Sequence, residues 1–198
     1  MTRRRPHAFV AIAIVAALSA ACRPAEPRQA SEAQRRAATP FDPQRVEIRD
    51  YWMGLAGEPI DINWRLERQG ETHTFPGTGT VRRVHGKTSD PLPVTVPDSA
   101  MLVFLRGLAA APRTPGEYTP NIQHTDDYPE LTIRLHTATE TTEFFSASQG
   151  EGRVPWRVYV GSGRYVSNSP APAEALKHVL PYLRRAELVE RREAADSP

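Results

Sequence analysis

Tyr118, Asn121, His124, Asp126, Asp127 and Tyr128 all fall in one stretch, Ala111 to Glu130, which has no helical or strand periodicity and carries Pro112, Pro115, Pro120 and Pro129. Long irregular segments inside compact domains are usually functional or disordered. This one holds the densest polar and aromatic cluster of the chain, and it is read as a binding loop. His124, Asp126 and Asp127 are residue types that ligate metal ions. No second set of ligands at matching spacing accompanies them, so neither a metal nor a cofactor is expected.

Other chemistry finds less support. Gly161-Ser162-Gly163 lacks the glycine spacing of a nucleophile elbow and lies between two strand-like runs, where a hairpin turn accounts for it. No phosphate loop or dinucleotide fingerprint occurs. Asp61, Glu67, Glu130 and Glu143 sit on strands or at their ends. Glycoside chemistry would need two of them facing across a cleft, and nothing in the sequence singles out a pair. His136 and His178 fall on the wet faces of a strand and a helix. Trp64 and Trp156 are in phase with apolar residues and read as core anchors. Catalytic residues are therefore not assigned.

The elements that must position these residues follow from periodicity. Alternation marks strands at Arg45 to Tyr51, Ile62 to Leu66, Leu131 to Leu135, Thr141 to Ser148 and Trp156 to Val160, with Tyr165-Val166 after a tight turn. Thr72 to Val84 reads as a strand weakened by Pro76, Gly77 and Gly79, which suggests a bulge or an edge. Tyr51-Trp52-Met53 reads as core, and His85 to Pro93 as a loop. Met101, Phe104, Leu105 and Leu108 share one face of a helix opened by Pro97-Asp98-Ser99. A second amphipathic helix starts near Pro172, and Pro181 should kink or end it.

The two halves echo one another. Arg65, Leu66, Glu71, Thr72 and Phe75 align with Arg134, Leu135, Glu140, Thr141 and Phe144. Pro97, Ala100, Met101, Phe104, Leu105 and Leu108 align with Pro172, Ala175, Leu176, Val179, Leu180 and Leu183. The expected fold class is α+β: a mostly antiparallel β-sheet of six or seven strands with two amphipathic helices on one face. It would form one domain over residues 44–198, with a duplicated β-β-(β)-α unit in halves 44–111 and 131–183.

The first residues form a cationic segment with Arg3, Arg4 and Arg5, followed by an apolar run, Ala8 to Ala21, that ends in small residues. That is the pattern of a secretory signal peptide, residues 1–21. The run stops at Cys22, the only cysteine, so no intramolecular disulfide can form. Leu18-Ser19-Ala20-Ala21-Cys22 resembles a bacterial lipobox, with the leucine four residues before the cysteine instead of the usual three. The resemblance implies cleavage before Cys22 and acylation of that residue, palmitate among the chains. Two or three acyl chains hold a protein on a membrane far better than one. Arg23, in place of an aspartate after the cysteine, implies the outer membrane, facing the periplasm. The alternative is cleavage after Ala21 as an ordinary small-residue site, which would leave a soluble periplasmic protein. Residues 22–43 are rich in proline and mixed charge and read as a flexible tether.

Of the 25 basic residues, three lie in the leader; the remainder face 23 acidic ones, a mature net charge of −1. That composition argues against a nucleic-acid partner, which calls for a basic face. The expected function is that of a membrane-anchored, non-enzymatic envelope lipoprotein binding a protein partner or an envelope polymer. The alternatives are a hydrolase-like envelope enzyme with unidentified acidic catalytic residues and a periplasmic inhibitor or immunity lipoprotein.

The lipid anchor has a direct test. Cys22→Ala is expected to move the protein from the membrane fraction to the soluble fraction, and mass spectrometry of the wild-type amino terminus is expected to show the added acyl mass. An unmodified Cys22 in wild-type protein would contradict the lipobox reading.

Overall fold

The computed structural model describes residues 41–53, 60–83, 88–122 and 128–196. The leader, Cys22 and most of the tether lie outside them. Phe41, at the tether's end, is already part of the domain: it is buried and meets the Phe144 ring edge-on, with centroids 6.2 Å apart.

The protein is α+β, built on one antiparallel sheet. The strands are β1 (Arg45–Met53), β2 (Ile60–Glu67), β3 (Phe75–Arg83), β4 (Leu92–Val96), β5 (Thr114–Pro115), β6 (Tyr128–His136), β7 (Thr141–Ser146), β8 (Trp156–Val160) and β9 (Gly163–Ser167). Helices are α1 (Asp98–Ala110), α2 (Ala171–Leu176), α3 (Leu180–Leu183) and α4 (Arg185–Asp196). The nine strands run β4-β3-β2-β1-β6-β7-β8-β9-β5. The second strand in sequence and the sixth thus flank the first.

Their register explains the sequence echo. Leu66 and Leu135 both lie opposite Val46; Trp64 and Ile133 both lie opposite Ile48; Arg65 and Arg134 both lie opposite Glu47. Residues aligned by the echo therefore meet the same partner on β1, one from each side. Paired residues point to the same face of a sheet, so both flanking strands send the same alternate positions into the core. β3 then continues outward from β2, and β7, β8 and β9 outward from β6 in the opposite direction. Two meanders thus spread from one shared strand, β2-β3-β4 leading into α1 and β6-β7-β8-β9 leading into α2.

One face carries the apolar residues. Val46, Ile48, Ile62, Trp64, Leu66, Leu131, Ile133, Leu135, Phe144, Trp156 and Val158 form one buried cluster with Met101, Phe104, Leu105 and Leu108 of α1, Ala175, Val179, Leu183 and Leu188. Each large side chain so buried contributes about 1.5–3 kcal/mol. Both core indoles satisfy their N–H groups, Trp64 Nε1 donating to the Leu183 carbonyl at 2.8 Å and Trp156 Nε1 to the Gly152 carbonyl at 2.9 Å. Each of the four described helices contributes to that face, and α1 lays a filled apolar stripe along it.

Several expectations change. Among the described residues there are nine strands where six or seven were expected. β4 falls inside and just after the segment read as a loop; Pro93 sits on this edge strand, where a missing N–H is tolerated. β3 is an interior strand, not an edge. Its glycines give room: a Cβ on Gly79 would lie 2.7 Å from Leu188 Cδ1 and 2.8 Å from Trp64 Cδ1, and one on Gly77 would lie 2.0 Å from the Arg65 carbonyl oxygen. The second helix breaks early. Pro181 has no N–H and its ring crowds the carbonyl of Lys177. Lys177, His178 and Val179 accordingly bond back three residues, and a separate α3 follows. Leu180, echoed by fully buried Leu105, is consequently 38% exposed. Tyr51-Trp52-Met53 ends β1 half in solvent, with Met53 39% exposed, rather than in the core.

Gly79→Ala is expected to cost about 1–3 kcal/mol through overpacking. Gly77→Ala should cost more, because its new methyl meets backbone that cannot turn aside. Urea denaturation of the two variants measures the order, and a smaller loss at Gly77 would contradict it.

Candidate functional site

The face opposite the helices bears the other half of each strand. Its rungs follow from the pairing. One runs Thr78, Arg65, Glu47, Arg134, Glu143, Tyr159, Arg164; the next runs Thr80, Asn63, Arg49, Thr132, Phe145, Arg157. A third brings Arg82, Asp61, Tyr51 and Glu130 together. An antiparallel sheet with one wet face alternates in this way.

The four carboxylates weighed in the sequence, Asp61, Glu67, Glu130 and Glu143, all lie on this face, and each has an arginine beside it. Asp61 is only 3% exposed. Arg49 reaches it with Nε at 2.7 Å and Nη2 at 3.1 Å; Asn63 Nδ2 donates to it at 3.1 Å, and Arg82 Nη2 stands 3.5 Å away. The hydrogen bond to Asp61 is the leading cause that raises the Arg49 pKa above its already high ordinary value, so this guanidinium stays charged. Glu130 lies 3.9 Å from Arg49 Nη1. Glu67 accepts from Arg65 Nε at 3.0 Å. Glu143 accepts from Arg134 Nε at 2.8 Å and from Arg157 Nη2 at 3.2 Å. These acids serve as counter-charges that orient arginines.

Arg65 and Arg134 face Glu47 in register, yet Arg65 bonds along its own strand to Glu67 and Arg134 bonds across to Glu143 on β7. Glu47 instead meets Arg45 Nε at 3.1 Å and His136 Nε2 at 3.2 Å. Both arginine arms thus make these hydrogen bonds to acids other than Glu47. Between them lies a groove of about 390 Å³, with Glu47, Arg49, Thr80 and the nearly buried Thr132 among its walls. Farther along, Arg157 lies over three rings: Phe145 at 4.2 Å, Tyr159 at 4.9 Å and Tyr118 at 5.9 Å.

Among the described residues of the expected binding loop, Tyr118 brings its ring to this face. It meets Phe145 edge-on, centroids 5.8 Å apart, and its Oη accepts from the Ala147 N–H at 2.8 Å. Asn121 is strapped to the end of β7 by main-chain bonds with Ser148 Oγ and the Gln149 N–H. His124, Asp126 and Asp127 lie outside the described residues. Tyr128 opens β6 opposite Met53. His178 is exposed on the helix side, and His136 belongs to the polar face, its Nδ1 3.0 Å from Thr141 Oγ1. Among the described residues no helix is long and apolar enough to cross a membrane.

The sequence reading missed the groove. Its residues come from four strands adjacent in space, β3, β2, β1 and β6, the last of them distant from the others in sequence. The one signal that pointed there was the echoed pair Arg65 and Arg134.

Comparison with protein-family models, with curated proteins and with solved structures finds no match.

Asp61→Ala is expected to cost about 1–3 kcal/mol, since it strips a buried carboxylate from its donors; Arg49, about a third exposed, recovers water and limits the loss. Glu67→Ala, at an exposed pair, should stay within about 1 kcal/mol. Chemical denaturation compares them, and equal losses would contradict the organising role of Asp61.

Proposed function

We propose that this chain is an envelope lipoprotein, anchored through acylated Cys22 at the outer membrane and facing the periplasm. In this reading it binds an envelope polymer, without catalysis, on the helix-free face of its sheet. The observation that carries the reading is that face itself. Three rungs of arginine, threonine and carboxylate span the centre of the sheet, no helix among the described residues covers them, and a buried acid holds Arg49 at the groove wall. Most proteins avoid burying a carboxylate except where its partners repay the lost hydration. Here the partners are the arginines of the exposed surface. The acids engaged this way support binding over acid–base work, which needs a carboxylate available to a substrate proton.

A second reading, a periplasmic inhibitor that docks on a partner protein, draws on Arg157 and its three rings. Arginine and aromatic side chains are enriched at the centres of protein interfaces.

Photo-crosslinking in living cells, with the native leader intact, separates these possibilities. A crosslinker at Thr78, on the polar face, is expected to capture envelope polymer, whereas one at Val103, 41% exposed on α1, should not. Capture of a single protein from Thr78 would favour the inhibitor reading. Equal capture from both positions, or capture from Val103 alone, would overturn the assignment of the face.

A further inference from the structure

Arg65 and Arg134 lie on either side of β1, both in register with Glu47. Two interstrand spacings separate their strands, roughly 9–10 Å. Each holds its acid through Nε, so the terminal nitrogens of both guanidiniums stand outside those bonds. A guanidinium presents its donors in a planar fork suited to carboxylate and phosphate oxygens. Glu47 between them is negative and would repel an anion placed midway, but it accepts hydrogen bonds from hydroxyl or amide groups. Thr132 and Thr80 add hydroxyls to the same groove, which at about 390 Å³ is within the size range of small-ligand clefts. Both arms are held before any ligand arrives, Arg65 by Glu67 and Arg134 by Glu143, and Arg49 is fixed more firmly by buried Asp61. Side chains already held in place lose less freedom on binding.

The geometry points to an acidic glycan as the ligand: a polymer whose oxyanion groups, carboxylate or phosphate, are separated by a neutral hydroxyl-bearing unit, with one oxyanion on Arg65, the next on Arg134 and the neutral unit over Glu47. This deepens the proposed binding function and rests on it. The charge order positive, negative, positive across three adjacent strands selects the spacing. A hydroxyl-bearing unit offers Glu47 donors on every residue, whereas an acidic peptide offers only its backbone N–H groups there, and polyglutamate in the test separates the two.

The test uses the detergent-solubilised full chain and four immobilised polymers: polygalacturonate, poly(glycerol phosphate), neutral dextran and polyglutamate. Binding is expected to polygalacturonate, to poly(glycerol phosphate) or to both, which identifies the anion as carboxylate or phosphate, and not to dextran. Arg65→Gln and Arg134→Gln should each weaken it about tenfold, the loss of one charge-assisted contact. The control Arg106→Gln, on the exposed side of α1, should leave it unchanged. Glu47→Gln discriminates further. Attraction by net charge alone would tighten binding when an acid is removed, whereas a Glu47 that accepts from the sugar makes binding weaker. Thermal melts of each variant confirm folding.

Polyglutamate binding at equal strength, or tighter binding by Glu47→Gln, would overturn the glycan assignment. Binding to none of the four polymers would overturn it as well; if Thr78 still captures envelope material in cells, the failure belongs to the ligand class and not to the binding face.

Discussion

Strand β1 carries the same register on both of its sides, and most of the structure depends on that. Its apolar positions, Val46 and Ile48, are met by Leu66 and Trp64 from one flank and by Leu135 and Ile133 from the other. A slip of one residue on either side would turn a whole strand inside out, because side chains alternate with a period of two. The same register acts on the opposite face, where it sets Arg65 and Arg134 against Glu47. The pairing that closes the core therefore also builds the groove. Neither could change without the other.

Around that strand the chain spends its acids on holding arginines. Asp61 is the strongest case, buried on a face that otherwise looks outward and held by two arginines and an asparagine. On the core side the counterpart is Asp50, which meets Arg185 of α4 at 3.1 Å and Arg153 at 3.9 Å and so ties the last helix to the end of β1. Burial lowers the Arg153 pKa, with the charge of Asp50 acting against that effect. Charges on both faces of β1 thus serve position more than raw stability, in keeping with the small net worth of exposed ion pairs.

Much of the fold was legible from alternation. β1, β2, β6, β7 and β8 announce themselves by apolar residues at every second position, and α1 by its stripe from Met101 to Leu108. β4 escaped because Pro91 and Pro93 mask the alternation of Leu92, Val94 and Val96, and proline is compatible with a strand only at an edge. Gly77 and Gly79 looked like an edge because the close approach of Trp64 and Leu188 is a tertiary fact. The break after Leu176 was foreshadowed by Pro181, though its position follows from the carbonyl four residues earlier. The groove was the least legible part. Each of its residues, read alone, is an ordinary solvated side chain, and only the order of strands in space gathers Arg49, Arg65 and Arg134. The expected loop contributed Tyr118 through its ring, a contact that no spacing rule in the sequence encodes.

The most direct measurement is arginine-directed chemical labelling of the full chain, read residue by residue by mass spectrometry, in native envelope and again in detergent alone. The account predicts that envelope shields Arg49, Arg65 and Arg134 while Arg106 on α1 labels equally in both. Uniform labelling of the three groove arginines in the two conditions, or shielding concentrated on the helix side, would contradict it.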